Sequence, residues 1–379
     1  MKIDFIQINN LRNHSSSQVE LKTGINVIHG LNGSGKTTIL EAVSICGLSK
    51  SFLDSPDSSL IKYGEGFYQA SASAINDLDM NYCVTVKYEP RIRKSISNSI
   101  GESLLPKDII GIMPVVALSP DHKAITFGSP EVRRSFIDGI LCQTSKVYLE
   151  ELMKFKKLLK QRNNLLSQVK QEISVDRAAL ESWTELFIDS ASEIIFRRQK
   201  FIDAFQPYFH EFYTCISEGK ESVALYYSPD SIDEPLPDSF SKEAVRFTLL
   251  KAYRSKASIE EIRGLTLFGP QKDELVIKIG EGKARENASQ GQHKSILISL
   301  KFAEFHYIKD KSNETPIVLL DDIFSELDER RAEMTLELLS RHNAQILLTT
   351  ADVKHLVNSL PVGDNSFIFV ENGIIITEK

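Results

Sequence analysis

A lysine and two aspartates that belong to one kind of site stand near opposite ends of this chain. The segment Gly30-Leu31-Asn32-Gly33-Ser34-Gly35-Lys36-Thr37 has the spacing of a phosphate-binding loop. An apolar run at 25–29 precedes it, and Ile39, Val43 and Cys46 follow at helical spacing, so the loop has the strand-loop-helix context it needs. Far downstream, Ile317-Val318-Leu319-Leu320-Asp321-Asp322 reads as a buried strand ending in two carboxylates, the edge at which α/β proteins bind ligands. A fold that uses both segments must bring the two ends of the chain into one sheet. Whatever lies between them is then an insertion.

Composition sets the outer limits. With 379 residues, 42% hydrophobic and 25% charged, the chain is long enough for one large or two joined domains of ordinary soluble type. Cys46, Cys83, Cys142 and Cys215 are scattered, with no C-x-x-C pair, and read as reduced thiols of a cytoplasmic protein. The N-terminus has no signal-peptide pattern. The longest apolar stretch, Ile109 to Leu118, contains Pro114 and falls well short of the roughly 20 residues of a membrane span, so no membrane partner is expected. A net charge of −6 argues against unconditional nucleic-acid binding and leaves room for local basic patches.

The fold class expected is α/β, a mixed sheet with flanking antiparallel β plus a helical arm. Strands are predicted at 3–8 and 25–29, and short β runs at 67–118 suggest the antiparallel sheet beside the phosphate site. In the middle the period changes. Leu152, Phe155, Leu159 and Leu166, then Leu180, Trp183, Phe187 and Ile194, predict two helices over 145–169 and 176–205, joined near Glu172-Ile173-Ser174. At about 25–30 residues each they would reach only about 40 Å. Ser228 to Asp238 reads as a surface loop. Strands return at 274–279 and 344–349, a helix is predicted from about Asp328, and Glu371-Asn372-Gly373 predicts a terminal hairpin. The boundaries expected are 1–130 with 265–379 for the head and 131–264 for the arm.

The chemistry of these motifs is specific. Glycines at 30, 33 and 35 let successive backbone N–H groups, including those of Asn32 and Ser34, curl around phosphate oxygens, with the helix N-terminus adding positive potential. Lys36 would reach the outer phosphates, and Thr37 and Asp321 would hold Mg²⁺. Asp322 would orient or deprotonate the attacking water, with one methylene less reach than a glutamate. Ser289-Gln290-Gly291-Gln292 opens an amphipathic helix bearing Ile296, Leu300, Ala303 and Tyr307. Serine hydroxyl, glycine N–H and helix N-terminus can together bind an anion; by itself the tetrapeptide also reads as a simple helix cap.

The order of these motifs, followed by Ser325-Glu326-Leu327-Asp328, resembles the ABC-type ATPases of the SMC and RecF class. Leu11-Arg12-Asn13, Leu118-Ser119-Pro120-Asp121, Arg133 to Asp138, Leu159 to Leu166, Gly269 to Asp273 and Ala288 to Gln292 are similar to the RecF family in particular, over essentially the whole chain. Thr38 stands where that family more often has Asn, and Thr350 where transporter ATPases carry a switch histidine. The resemblance implies ATP and Mg²⁺ as cofactors and a homodimer formed only with ATP, in which Ser289, Gly291 and Gln292 of one subunit cover the γ-phosphate held at Lys36 of the other. It implies that Arg12 and Thr38 line the nucleotide in cis, and that Ser119 to Asp121 takes the place of the Q-loop.

The same resemblance implies a weak DNA-stimulated ATPase of recombinational repair and replication restart. It would act on gapped or junction DNA and, with RecR- and RecO-type mediators, promote recombinase loading on single strands. Basic candidates for backbone contacts are Arg91, Arg93 and Lys94 in the head, Lys154, Lys156, Lys157, Lys160 and Arg162 on the first arm helix, and Arg197, Arg198 and Lys200 on the second. A solvated, acid-paired helix face is the competing reading of each. A transporter's nucleotide-binding subunit and an SMC-like tether are the alternative functions. The first is opposed by Thr350 and the arm, the second by the shortness of that arm.

Overall fold

The computed structural model of the chain describes residues 1–173, 175–231, 240–323, 334–335, 337, 341–353, 360 and 363–377. Two compact units are present, Met1–Lys123 with Lys294–Lys379, and Ala124–His293. In chain order the strands are β1 (Lys2–Leu11), β2 (His14–Glu20), β3 (Ile25–His29), β4 (Tyr68–Ile75), β5 (Asn81–Glu89), β6 (Arg93–Asn98), β7 (Ser103–Leu104) and β8 (Val115–Leu118). The second unit carries β9 (Val223–Ser228), β10 (Glu274–Ile279) and β11 (Gly282–Lys283). The first unit resumes with β12 (Ile317–Asp321), β13 (Ile346–Thr350), β14 (Ser366–Glu371) and β15 (Ile374–Thr377).

The first unit holds two six-stranded sheets, ordered β15-β14-β3-β13-β12-β8 and β2-β1-β4-β5-β6-β7. In the first, β14, β3, β13, β12 and β8 run parallel, pairing Leu347 with Asn26 and Leu319 with both Leu347 and Ala117. β8, β12 and β13 are buried along their whole length, which is why they open on apolar runs, with polar residues only where β12 and β13 end. The second sheet is antiparallel and alternates, with Tyr68, Ala70, Ala72 and Ala74 of β4 turned inward. Between the sheets lies the helix Lys36–Leu48, packed on β1, β4 and β5 on one side and β8, β12 and β13 on the other. The predicted apolar face was only part of its burial: Leu40, Ala42 and Ile45 are covered as fully as Ile39, Val43 and Cys46. Gly47 is needed there, since a Cβ would meet the Met113 carbonyl at 2.7 Å.

In the second unit β9, β10 and β11 form a small antiparallel sheet beside the helices Pro130–Thr144, Lys146–Lys170, Arg177–Ser217 and Lys242–Arg263. The arm differs from the expectation in two ways. Its second helix runs 41 residues, roughly 60 Å, because Phe205, Phe209 and Tyr213 prolong the buried face beyond residue 205. A third helix, Lys242–Arg263, packs on both. The boundaries expected at 130 and 265 fall instead at 123/124 and 293/294, since β10 pairs with β9 residue by residue from Glu274↔Ser228 to Ile279↔Val223. Residues 265–293 thus belong with the insertion. Most of the loop predicted over Ser228 to Asp238, the helix predicted from Asp328 and Ser325-Glu326-Leu327-Asp328 lie outside the described residues.

Two of the basic residues read as DNA contacts are core residues of this unit. Arg162, 1% exposed, faces fully buried Glu260 at 2.6 Å and donates to Thr184 and Thr266 at 3.0 and 2.7 Å, ringed by Phe187, Tyr253 and Phe268. Arg198 forks onto Asp138 at 3.0 Å and donates to the Pro270 carbonyl at 2.8 Å. A guanidinium offers five donors in a plane, and each is buried here because carboxylate and carbonyl partners meet several of them.

Arg162→Ala should lower unfolding free energy by about 3–5 kcal/mol, since it strands the Glu260 carboxylate in the core. Urea denaturation checks this, and a change below about 1 kcal/mol would refute the assignment. A second expectation concerns His306, which burial depresses to about pH 4, with the edge-on His342 ring at 4.3 Å adding repulsion. The folded form resists protonation, so its contribution to stability is complete above pH 6.5 and is lost as pH falls from 6.5 toward 4. His306→Phe should therefore show a shallower fall in melting temperature over that interval than the unmodified chain; equal slopes would count against it.

Candidate nucleotide site and signature helix

The loop between β3 and the helix Lys36–Leu48 is held in shape from outside. Gly30 has φ +147 and a Cβ there would lie 2.2 Å from the Val370 carbonyl; Gly35 has φ +110 and its Cβ would lie 2.5 Å from His14 Nε2. Side chains at either position are excluded on both counts. Lys36 Nζ turns back to donate to the carbonyls of Gly30 and Leu31 at 2.8 and 2.9 Å. Burial lowers its pKa, opposed by the nearby Asp322 and Asp321 carboxylates. Ser34 Oγ is buried and makes no hydrogen bond among the described residues. A buried hydroxyl with that need, in a loop of this shape, fits a phosphate oxygen. Asn32 and Gly33 lie at the outer part of the loop, where Asn32 is exposed and a Cβ on Gly33 would meet nothing within 4 Å.

The downstream aspartates arrive beside this loop through β12. Asp321 Oδ1 accepts from Thr37 Oγ1 and from Thr349 Oγ1, each at 2.7 Å. Burial raises the pKa of Asp321, the two threonine hydroxyls pull it down, and Asp322 and Glu41 push it up. A hydroxyl and a carboxylate oxygen in contact form the donor set a hard cation such as Mg²⁺ takes, and the ion would relieve the buried charge. Asp322 follows with φ +46, and its N–H donates to Thr349 Oγ1 at 2.9 Å. A non-glycine residue in that conformation is strained, and such strain gathers at functional positions.

Arg12, expected beside the phosphates, has φ +54 and forks onto the buried Glu41 carboxylate at 3.0 and 2.9 Å, with a further bond to Ser55 Oγ at 2.9 Å. Glu41 sits on the helix that the loop begins, so Arg12 bears on the site through that helix. Thr38 is buried, its hydroxyl 3.5 Å from Asn13 Oδ1. Ser119 is buried against His122, with Oγ and Nδ1 3.0 Å apart. Sequence reading passed over Glu41, Thr349 and His14. Thr349 could have been found as the end of the strand paired with β12; nothing in the sequence marks a buried His14.

Ser289 caps the helix Gln290–Ser312 with a reciprocal pair of bonds, Gln292 N–H to Ser289 Oγ at 3.2 Å and Ser289 N–H to Gln292 Oε1 at 2.6 Å. This is a capping box, so the cap reading of the tetrapeptide is realised in the single chain. Gln292 also donates to Glu221 at 2.6 Å. Ser289 is exposed, and a Cβ on Gly291 would meet nothing within 4 Å.

Among the basic candidates, Arg91 is exposed and the Arg93 side chain lies outside the described residues. Lys94 is turned inward, donating to the Ser49 carbonyl at 2.6 Å and facing Asp57 at 2.8 Å, which corrects its reading as a DNA contact. Lys154 pairs with Glu151 at 3.4 Å while remaining 55% exposed, and Lys157 and Lys160 are exposed.

Comparison with known proteins agrees with this architecture. The family profile described as RecF/RecN/SMC N terminal domain matches residues 2–362. The DNA replication and repair protein RecF of Chlorobium phaeovibrioides is 36% identical over 94% of this chain and 95% of its own length. That of Chloroherpeton thalassium is 37% identical, over 93% and 96%. A solved structure described as the recombination mediator protein RecF-ATPrS in the RecFOR pathway superposes with a TM-score of 0.89 at 25% identity, covering 100% of this chain and 98% of that one. An Smc head bound to the C-winged helix domain of ScpA shares the fold, with a TM-score of 0.57 at 16% identity, covering 100% and 98%. Among the described residues no helix is long and apolar enough to cross a membrane.

Thr349→Val removes the hydroxyl that joins Asp321 to the Asp322 N–H while keeping its volume. Stability should fall by about 1–3 kcal/mol and return with Thr349→Ser. A valine variant as stable in urea as the unmodified chain would show that the bond carries no weight.

Proposed function

The chain belongs to the RecF family of SMC-like ATPases, and from that premise we propose that it is an ATP-gated, dimerising DNA-binding ATPase of recombinational repair. Phosphates bind the loop at Gly30 to Thr38, Lys36 among the ligands, with Mg²⁺ on Thr37 and Asp321. Thr37 and Asp321 would hold the ion, which would supply positive charge against the outer phosphates. Asp322, at the strained end of β12, orients or deprotonates the attacking water. Its short side chain makes turnover slow.

The observation that carries the dimer is the signature helix. Its N-terminus is exposed, its serine already points a hydroxyl along the first turn, and a Cβ on its glycine would meet nothing within 4 Å among the described residues. An exposed helix N-terminus with room at its glycine suits a surface that comes from elsewhere. A second copy bearing ATP provides one, with Ser289, Gly291 and Gln292 closing over the γ-phosphate. ATP binding then shuts the dimer and hydrolysis opens it.

DNA is held by phosphate contacts from the exposed cations Arg91, Lys154, Lys157 and Lys160, doubled by the second subunit. Relatives are named for replication and repair and for the RecFOR pathway, which supports RecR- and RecO-type mediators as partners and recombinase loading at gapped or junction DNA as the outcome.

Ser289→Arg should leave ATP binding by the single chain intact and abolish the ATP-dependent dimer in light scattering. Retention on gapped duplex should need ATP or a non-hydrolysable analogue and disappear with it in Ser289→Arg. Equal retention without nucleotide would refute the gating, and an unchanged dimer fraction would refute the role of the signature.

A further inference from the structure

Three consecutive carbonyls of the phosphate loop accept hydrogen bonds from outside the loop. Asn13 Nδ2 donates to Gly33 at 3.2 Å, the Gly373 N–H to Ser34 at 2.8 Å, and His14 Nε2 meets Gly35 at 3.0 Å. In a trans peptide the carbonyl and the following N–H point to opposite sides. Anchoring the Ser34 and Gly35 carbonyls outward therefore turns the N–H groups of Gly35 and Lys36 inward, where a phosphate is bound.

His14 is fully buried, and its other ring nitrogen lies 2.7 Å from Ser17 Oγ, which in turn reaches the Gly373 carbonyl at 3.1 Å. The Gly35 carbonyl can only accept, so Nε2 carries the ring proton and Nδ1 is the acceptor of the neutral ring. The single Ser17 proton is then shared between Nδ1 and the Gly373 carbonyl. These bonds close a circuit from Gly35 through His14, Ser17 and Gly373 back to Ser34. Gly373 has φ +76, and a Cβ there would lie 2.6 Å from the Asn13 carbonyl, so the turn of the β14-β15 hairpin is fitted against this corner of the loop.

We propose that His14, Ser17 and Gly373 are positioning residues for nucleotide binding, a clamp through which the C-terminal hairpin presets the phosphate loop for a nucleoside triphosphate. The inference rests on the reading of Gly30 to Thr37 as the phosphate site. A glycine-rich loop has many conformations, and holding one of them before the ligand arrives removes an ordering cost from binding.

The test measures ATP affinity and the nucleotide-free melting temperature for His14→Phe, His14→Gln, Ser17→Ala and Gly373→Ala, with Lys36→Ala as reference. His14→Phe, which keeps a ring and loses both nitrogens, should weaken ATP by about tenfold, the scale of one lost hydrogen bond. His14→Gln restores an N–H donor and should recover most of that loss. Inorganic tripolyphosphate should weaken in parallel, because the clamp acts on phosphate alone. Ser17→Ala should add nothing further in the His14→Phe background. Equal losses in His14→Phe and His14→Gln, or additive losses with Ser17→Ala, would overturn the clamp. If His14→Phe does not fold, Gly373→Ala decides: weaker ATP binding supports the clamp and unchanged binding refutes it. Lys36→Ala binding ATP normally would refute the phosphate-site reading itself, whereas normal binding by His14→Phe beside a defective Lys36→Ala refutes only the clamp.

Discussion

The hydrogen bond from Thr37 to Asp321 depends on, and certifies, the pairing of β3 with β13 and of β13 with β12. No local interaction brings residue 37 to residue 321. Three parallel strands from distant parts of the chain must be in register before the hydroxyl and the carboxylate can meet. Once they are, a second threonine, Thr349 near the end of β13, completes the arrangement by bonding Asp321 and receiving the Asp322 N–H. The helix Lys36–Leu48 then makes the register hard to shift, because it is clasped by both sheets of the unit. A slip of one residue in any buried parallel strand would misplace apolar side chains that have no polar face to fall back on.

The second unit is organised by a different principle. Its arm helices bury charge as well as apolar surface, with Arg162 on Glu260 and Arg198 on Asp138. Such pairs add little net stability relative to apolar residues of equal volume, and removing one partner is costly. Their geometric demand lies in the number of donors to be met: Arg162 joins two arm helices and the third helix with the segment after it, through Thr184, Glu260 and Thr266. Arg198 secures the Pro270 carbonyl in the strand approach to β10. The motif strings around 133–138, 159–166 and 269–273 therefore meet as parts of one buried framework, which carries β10 and, a few residues later, the start of the signature helix.

The loop, the Thr37–Asp321 pair and Asp322 are assembled within the first unit, whereas Ser289 to Gln292 belong to the second. In the single chain Ser289 and Gln292 bond each other as a capping box, and Gln292 also reaches Glu221. A polar group already ordered by its own helix loses little freedom on meeting a phosphate. Arg12 shows the converse, since its guanidinium is committed to Glu41 and shapes the helix behind the loop.

Sequence alone determined the loop, the strand ending in Asp321 and Asp322, the hairpin at Asn372 and Gly373 and the two-helix core of the arm. Each is a local pattern whose spacing follows from backbone geometry: glycines at positive φ, a period of two or of 3.6, a continuous apolar strand. Tertiary structure alone decided that Thr349 bonds Asp321, that His14 and Gly373 brace the loop, and that Arg162, Arg198 and Lys94 face inward while neighbours of the same charge face water. Those outcomes turn on which carboxylate or carbonyl, far away in the chain, arrives within hydrogen-bond reach. A basic residue on an amphipathic helix looks the same in sequence whether its partner is solvent or a buried glutamate, and only the packing of the third helix against the arm settles it.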